Sequence, residues 1–224
     1  MGMAGGLLAV MTIGIVSADQ TSAQVQRTSH APVELAPAVV VSAGADSIDP
    51  NAIARLSALH DDRVELGTGF QLDDGRIATV AHAIVDARSV RFGNTNDAVE
   101  HENPNQNAEV AISRLHDLAT LRGAPLIAGL PLSDVPGEIG DGVALAGIPE
   151  DGRIHIRSGE IITRTEGVNY GLGRPEVYAI SAPVDVGYSG GPVVNANGEV
   201  IAIIVGSETR SGVTLAVPIE YLPN

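Results

Sequence analysis

The chain has 224 residues, a formal net charge of −14, thirteen arginines and no lysine. An acidic chain without a basic cluster argues against nucleic acid as a partner, and the lack of cysteine excludes disulfides, thiolate metal sites and a cysteine nucleophile. Hydrophobic residues make up 44% and aromatic residues 3%, so we expect a core of aliphatic side chains. The 26 glycines and 13 prolines predict many turns, as short-stranded β proteins need.

The amino-terminal segment resembles a targeting signal. Gly5 to Ala18 is apolar and too short to span a bilayer comfortably, and small-x-Ala cleavage sites end at Ala18 and Ala23. A positively charged start is lacking, since the first basic residue is Arg27. Residues 1–18 are therefore predicted to be a signal peptide, with an uncleaved membrane anchor or a buried segment as alternatives, and either of the first two implies a secreted or cell-envelope protein. Residues 19–48 are predicted to be a linker or propeptide-like arm.

The remaining chain is predicted to be all-β. Asp49-Pro50 and the following residues could open a short helix, with Asp49 as N-cap. Two sets of short apolar runs follow, separated by a Pro- and Gly-rich stretch at 123–142, and no βαβ spacing appears. We therefore expect two antiparallel six-stranded β-barrels, at 49–125 and 126–224. The twelve predicted strands are 64–70, 76–80, 89–92, 109–113, 118–121, 143–147, 153–157, 160–164, 177–181, 192–194, 199–205 and 213–217.

The sequence around Ser189 is the most specific motif of the chain. Ser189 lies in the run GYSGGP, whose glycines permit a tight turn that points backbone N–H groups at a developing oxyanion. The same run fits the G-x-S-x-G elbow of α/β-hydrolases, but that fold needs the acid and the histidine after the serine. No histidine follows Ser189, so this alternative is disfavoured. A glycine-rich β-turn without catalytic function is the other alternative.

A serine nucleophile needs a base, which must lie upstream. His82 directly follows an apolar strand and precedes a run able to form one helical turn, so it is the preferred candidate among six histidines, although such a residue alone could be a core histidine. His101 is expected in a solvated polar loop and His155 on a strand surface. Asp117 lies in an apolar strand, and a buried carboxylate needs a partner. His116 beside it should point to the opposite face of that strand.

Three segments together resemble the signature blocks of the trypsin/chymotrypsin superfamily, most closely its bacterial Deg/HtrA-like branch. They are GTGFQLDDGRIATVAHAIVDA, HDLATL and GYSGGPVVNANGEVIAIIVG, and the similarity covers about residues 60–220. The resemblance implies a serine endopeptidase that forms an acyl-enzyme, with His82 as base, Asp117 as its orienting acid and Ser189 as nucleophile. It also implies an oxyanion hole formed by the N–H groups of Gly187 and Ser189, and a site between two barrels.

The sequence departs from the family pattern at two positions, and the resemblance also predicts which residues form the substrate pocket. Tyr188 replaces the aspartate that pairs with a newly cut amino terminus in digestive members, and Ile204 replaces a small polar residue expected to help hold the acid. No PDZ module is expected after residue 224. The primary substrate pocket is expected at Pro183, Val205, Gly206 and Ser207, and its apolar lining predicts cleavage after small or medium apolar residues. Asp185 nearby is expected to be a solvated loop residue.

The predicted partner is a protein or peptide substrate, with membrane association possible only through the amino-terminal segment. No cofactor and no metal are predicted, and the oligomeric state is left open. The alternative function is an inactive protease-like domain that binds peptides as a sensor or scaffold.

Overall fold

The computed structural model describes residues 45–93, 98–123, 126–170, 176–208 and 211–224, without the side chains of Val168 and Tyr170. The predicted signal peptide or anchor and most of the predicted arm therefore lie outside the described residues. Within the described ranges, no helix combines the length and hydropathy that crossing a membrane requires.

The first sheet is antiparallel and has seven strands in the order β5-β4-β1-β2-β3-β7-β6. Among the described residues, β5 and β6 are its edges and do not pair with each other, so it is a half-barrel. A single helical turn, α1 (Ala81–Ile84), follows β3. The strands are β1 (Ile53–Leu59), β2 (Val64–Gln71), β3 (Arg76–Val80), β4 (Ser89–Phe92), β5 (Val99–Glu102), β6 (Val110–Ser113) and β7 (Leu118–Arg122).

The second sheet is a closed barrel of six strands in the order β10-β13-β12-β11-β8-β9. The segment between the sheets contacts both of them, because Leu130 forms a parallel bridge with Leu72 and Leu132 forms one with Val200. The strands are β8 (Gly142–Gly147), β9 (His155–Glu166), β10 (Glu176–Ile180), β11 (Pro192–Val194), β12 (Val200–Glu208) and β13 (Val213–Pro218).

The prediction of an all-β chain with two barrel-like sheets is confirmed, and the first sheet differs from it in strand number and closure. Asp49 does cap a helical turn, but that turn is a 3-10 helix of three residues, Pro50–Ala52, and β1 follows at once. The expected helix beyond it is wrong, because β1 pairs with β2 on one side and β4 on the other. Pairing satisfies the backbone of this segment along both edges, which outweighs its local helix signal.

Two further differences arise from strand pairing. β5 carries the sequence VEHE, which has no strong strand pattern, and it forms because it pairs along β4. Residues 155–157 and 160–164 do not form two strands but belong to the single strand β9, which pairs with β8 over residues 155–160 and with β10 over residues 161–166. Gly159 lies inside β9, where a larger residue would not fit, because a β-carbon there would come within 2.8 Å of the Ala182 side chain. This glycine marks a close approach and not a strand end.

Candidate active site

The position of His82 follows from the end of β3. Val80 is the last residue of that strand, and the chain turns directly into α1, with the Val85 N–H donating to the Ala81 carbonyl at 2.8 Å. Ala81 is buried, while 42% of the His82 side chain is exposed. The helical turn thus holds a partly exposed imidazole at the end of a buried strand, as the sequence predicted.

Asp117 reaches His82 through the register of β3 and β7. Val80 pairs with Leu118, so the residue before Leu118 lies beside the residues that follow Val80. The Ala81 N–H donates to the Asp117 carbonyl at 3.0 Å, which holds the two segments together. Asp117 itself lies in the turn before β7 and not within a strand, and its φ is +58°. It is also partly exposed, which corrects the expectation of a buried strand carboxylate.

The Asp117 carboxylate contacts His82 twice. Its Oδ2 lies 2.6 Å from His82 Nδ1, and its Oδ1 accepts the His82 backbone N–H at 2.7 Å. Burial of the imidazole lowers the pKa of His82, but the hydrogen bond and the charge of Asp117, with the charge of Glu65, outweigh burial and raise the pKa above its ordinary value. An imidazole in this arrangement has Nδ1 occupied and Nε2 available to exchange a proton.

Ser189 lies in the loop between β10 and β11, and hydrogen bonds on both sides fix that loop. The Gly190 N–H donates to the Ile204 carbonyl at 2.8 Å, and the Ile204 N–H donates to the Gly191 carbonyl at 2.9 Å. From the first sheet, the Thr68 N–H donates to the Ser189 carbonyl at 2.9 Å. The backbone of Ile204 thus holds the serine loop in place. The Asp117 carboxylate accepts a hydrogen bond from the backbone N–H of His82, and no polar side chain at position 204 is involved.

The backbone N–H groups of Gly187 and Ser189, which flank Tyr188, have no acceptor among the described residues. Gly187 has a φ of +102°, and a β-carbon there would lie 2.5 Å from the Ile148 carbonyl oxygen. Only glycine therefore fits this turn. Unsatisfied N–H groups next to a serine hydroxyl can bind an oxyanion.

His82 and Ser189 line one cavity of about 450 Å³. Within the described part of the chain, no hydrogen bond joins the Ser189 hydroxyl to His82. Of the residues predicted to form the substrate pocket, Gly206 and Ser207 line this cavity. Pro183 is exposed outside it, and Val205 is buried in the core. The cavity is further lined by Arg55, Arg63, Val64, Glu65, Leu66, Gly67, Ala83, Glu150, Val184, Asp185, Val186, Gly187, Tyr188 and Ile204.

The other histidines lie outside this cavity where the structure describes them. His101 is buried in β5, with Nε2 2.8 Å from the Arg122 carbonyl, so the expectation of a solvated loop is wrong. The cause is the pairing of β5 with β4, which turns this side chain inward. His116 stacks on the ring of Tyr221 at 4.4 Å, and His155 pairs with Asp151 at 2.8 Å. His30 lies outside the described residues.

Sequence reasoning did not identify Glu65, which lines the cavity, or Thr68, which forms hydrogen bonds with the serine loop. Glu65 lies on β2, and its charge contributes to the raised pKa of His82. Thr68 lies between Gly67 and Gly69, where a β-carbon on Gly67 would approach the Ser189 carbonyl to 3.0 Å. The run Gly67-Thr68-Gly69 was the available signal for Thr68, because glycines on both sides of a residue indicate close approach of another backbone.

Comparisons with known proteins show the family of this chain. Residues 67–203, more than half of the chain, match the model of the trypsin-like peptidase domain. The bovine protein "Serine protease HTRA2, mitochondrial" is 36% identical over 171 residues, which cover 70% of this chain and 34% of the bovine protein. The Mycobacterium tuberculosis serine protease Rv3671c is 28% identical over 180 residues, covering 76% of this chain and 44% of the relative. The chain thus spans less than half the length of these relatives.

Solved structures share the fold. The active form of the Rv3671c protease superimposes with a TM-score of 0.65 at 23% identity, covering 88% of this chain and 90% of that structure. The HtrA-type protease AlgW with a tripeptide gives a TM-score of 0.62 at 22% identity, covering 79% and 59%. The family match, the two-sheet fold and the relatives are consistent with one another, and the chain belongs to the family of trypsin-like peptidase domains.

Proposed function

We propose that this chain is a serine endopeptidase in which His82, Asp117 and Ser189 form the catalytic triad. The observation that carries the proposal is the double contact of Asp117 with His82, whose side chain lines the same cavity as Ser189. Family membership supports the activity. The geometry supports these particular residues, because an imidazole whose Nδ1 proton is donated to Asp117 leaves Nε2 free to accept the serine proton.

The chemistry proceeds in two half-reactions. His82 Nε2 takes the proton of the Ser189 hydroxyl as its oxygen attacks the scissile carbonyl carbon, and the carbonyl oxygen becomes an oxyanion. The N–H groups of Gly187 and Ser189 donate to that oxyanion. The C–N bond then breaks, His82 returns the proton to the leaving amine, and an acyl-enzyme remains. Water then attacks the ester carbonyl carbon as His82 takes its proton, the ester bond breaks, and His82 returns that proton to the Ser189 oxygen as the carboxylic acid leaves.

The free protein does not need a short Ser189–His82 hydrogen bond for this role. Catalytic hydrogen bonds are often long in unliganded sites and shorten when substrate binds. Because Asp117 fixes both the backbone and the ring of His82, the adjustment falls to the serine side chain and the substrate.

The residue before the cut is proposed to be small or medium and apolar. Val184, Ile204 and Gly206 line the cavity beside Ser189. Asp185 is an acid in this wall, but its side chain is 68% exposed and pairs with Arg157 at 3.8 Å. A basic substrate side chain would lose hydration in the apolar part of the pocket without gaining a dedicated buried carboxylate.

The test uses Ser189→Ala and His82→Ala with a fluorophosphonate probe and a peptide substrate. Each variant should lose on the order of 10⁶ in kcat, because both residues act in one covalent step. Ser189→Ala should also lose labelling, while Ser211→Ala, which changes an exposed serine outside the cavity, should keep both. Substantial peptidase activity in purified Ser189→Ala would contradict the triad. Wild-type protein that binds peptides without labelling would instead indicate the sensor or scaffold function.

We also propose that the protein is exported, on the basis of the apolar segment at 5–18 and the small-x-Ala sites after it. Sequencing the amino terminus of the protein from culture medium and cell fractions tests this. Cleavage should leave Asp19 or Gln24 first, whereas an intact Met1 in the membrane fraction would indicate an anchor.

A further inference from the structure

Thr68 links the first sheet to the loop that carries Ser189. It lies on β2 and is completely buried. Its hydroxyl donates to the Gly187 carbonyl at 2.6 Å and accepts the Ile148 N–H at 2.8 Å. Both of these partners belong to the second half of the chain, so one hydroxyl joins two backbone segments across the cleft.

The backbone of Thr68 makes a second connection to the same loop. Its N–H donates to the Ser189 carbonyl at 2.9 Å. Thr68 therefore holds the carbonyl oxygens of Gly187 and Ser189, at the two ends of the tripeptide whose terminal N–H groups are proposed to bind the oxyanion. The Thr68 carbonyl is itself held by the Thr79 hydroxyl at 3.0 Å.

This restraint acts on a part of the loop that is intrinsically free to rotate. Glycine populates positive and negative φ about equally, so Gly187 has no conformational preference of its own for φ +102°. The short hydrogen bond from Thr68 and the contact of Gly187 with Ile148 select one conformation. Because Thr68 also holds Ile148, its hydroxyl fixes both Gly187 and the segment against which Gly187 packs.

We propose that the Thr68 hydroxyl is a positioning group for the oxyanion hole. By holding the Gly187 carbonyl it restrains the backbone angles of Gly187, and with them the direction of the Gly187 N–H. The inference rests on the proposed function, because the Gly187 N–H needs a fixed direction only if it binds the oxyanion of the transition state. Thr68 does not line the cavity and so acts without touching the substrate. Its loss should therefore affect kcat much more than KM.

The experiment compares Thr68→Val, Thr68→Ser and Thr120→Val. Valine keeps the shape of threonine without the hydroxyl, and serine keeps the hydroxyl. Thr120 is the matched control, because it is buried in the same sheet and its hydroxyl donates to the Pro223 carbonyl at 3.3 Å, outside the cavity. The readouts are kcat, KM, the affinity for a peptide boronate, which forms a tetrahedral adduct on the serine, and the melting temperature.

Thr68→Val should lower kcat by about 10²-fold, as expected when a catalytic group is displaced by about 1 Å, and leave KM within a few-fold. Boronate affinity should fall in parallel with kcat. Thr68→Ser should restore most of both, and Thr120→Val should retain normal kcat. Unchanged kcat in Thr68→Val, equal losses in Thr68→Ser, or the same loss in Thr120→Val would each overturn the proposal.

Two further arms keep the test decisive. If Thr68→Val does not fold, Thr68→Cys, with a weakly donating thiol of similar size, should show the same kcat loss, and normal turnover would contradict the proposal. A crystal structure of the folded variant shows the direction of the Gly187 N–H independently of activity. An unchanged direction would also overturn the proposal. Wild-type protein without Ser189-dependent turnover would count against the proposed function and not against the Thr68 restraint.

Discussion

The Asp117 carboxylate holds both the ring and the backbone of His82, at 2.6 Å from Nδ1 and 2.7 Å from the peptide nitrogen. One oxygen therefore determines the tautomer of the imidazole, and the other fixes the position of the helical turn that carries it. The carboxylate is in turn fixed by a left-handed backbone conformation, since φ of Asp117 is +58°. The relationship explains why the His82 pKa is raised even though burial opposes protonation.

Replacing Glu65 with glutamine should shift the pH profile of activity. The negative charge of Glu65 stabilises the His82 imidazolium and contributes to its raised pKa, so removing that charge lowers the pKa. Since His82 must be neutral to accept the serine proton, the acid limb of kcat/KM should move to lower pH. Profiles of wild type and Glu65→Gln on one peptide measure this. Glu150→Gln, at another acid of the cavity, is the control and should shift the limb less. A shift to higher pH in Glu65→Gln would contradict the sign of this interaction.

Replacing Asp117 with asparagine should lower kcat by about 10⁴-fold without unfolding the protein. The amide oxygen can still accept the His82 N–H, but the amide NH₂ would face Nδ1 and favour the tautomer that has its proton on Nε2. Asparagine also tolerates positive φ, so the turn should persist. Kinetics and thermal denaturation measure the two effects. Asp141→Asn, which alters a carboxylate that accepts the Glu138 N–H far from the cavity, should keep normal kcat. Near-normal turnover in Asp117→Asn would exclude this residue from the triad.

Replacing Gly190 with alanine should destabilise the protein more than replacing Gly140. Both glycines have positive φ, at +88° and +97°. Alanine at either position carries a backbone cost of roughly 1–3 kcal/mol. A β-carbon at Gly190 would also collide with the Thr68 carbonyl and the Thr79 hydroxyl, whereas nothing lies within 4 Å at Gly140. Chemical denaturation gives both free energies of unfolding. Equal values would show that the two sheets yield easily at this contact.

Substrate preference should respond to Gly206. A β-carbon there meets nothing within 4 Å, so the space beside it is open to the cavity. Wild type should cleave after Ala, Val and Leu in a peptide library. Gly206→Val should lower kcat/KM for Leu before the cut more than for Ala, because the valine side chain narrows the pocket. A wild-type profile dominated by Arg or Lys would show that the pocket lies elsewhere, and unchanged selectivity in Gly206→Val would show that Gly206 does not form its wall.

The sequence by itself determined the all-β class, most strand positions, and the three segments that carry His82, Asp117 and Ser189. These features are local. Short apolar runs, the turn-forming pairs Asp74-Gly75 and Asn197-Gly198, and a glycine-flanked serine each lie within a short stretch, so each is recognisable without knowledge of its partner in the fold. The family resemblance added the order and roles of the three residues.

Tertiary structure decided the features that depend on pairing between distant segments. β1 and β5 form because neighbouring strands satisfy their backbones, against a helix signal in the first and a charged pattern in the second. Asp117 meets His82 because Val80 pairs with Leu118, and it does so from a left-handed turn that no periodicity reveals. The Thr68 hydroxyl reaches Gly187 across 119 residues of sequence. Hydrogen bonds of this range are set by how two sheets pack, which is information that no single stretch of the chain contains.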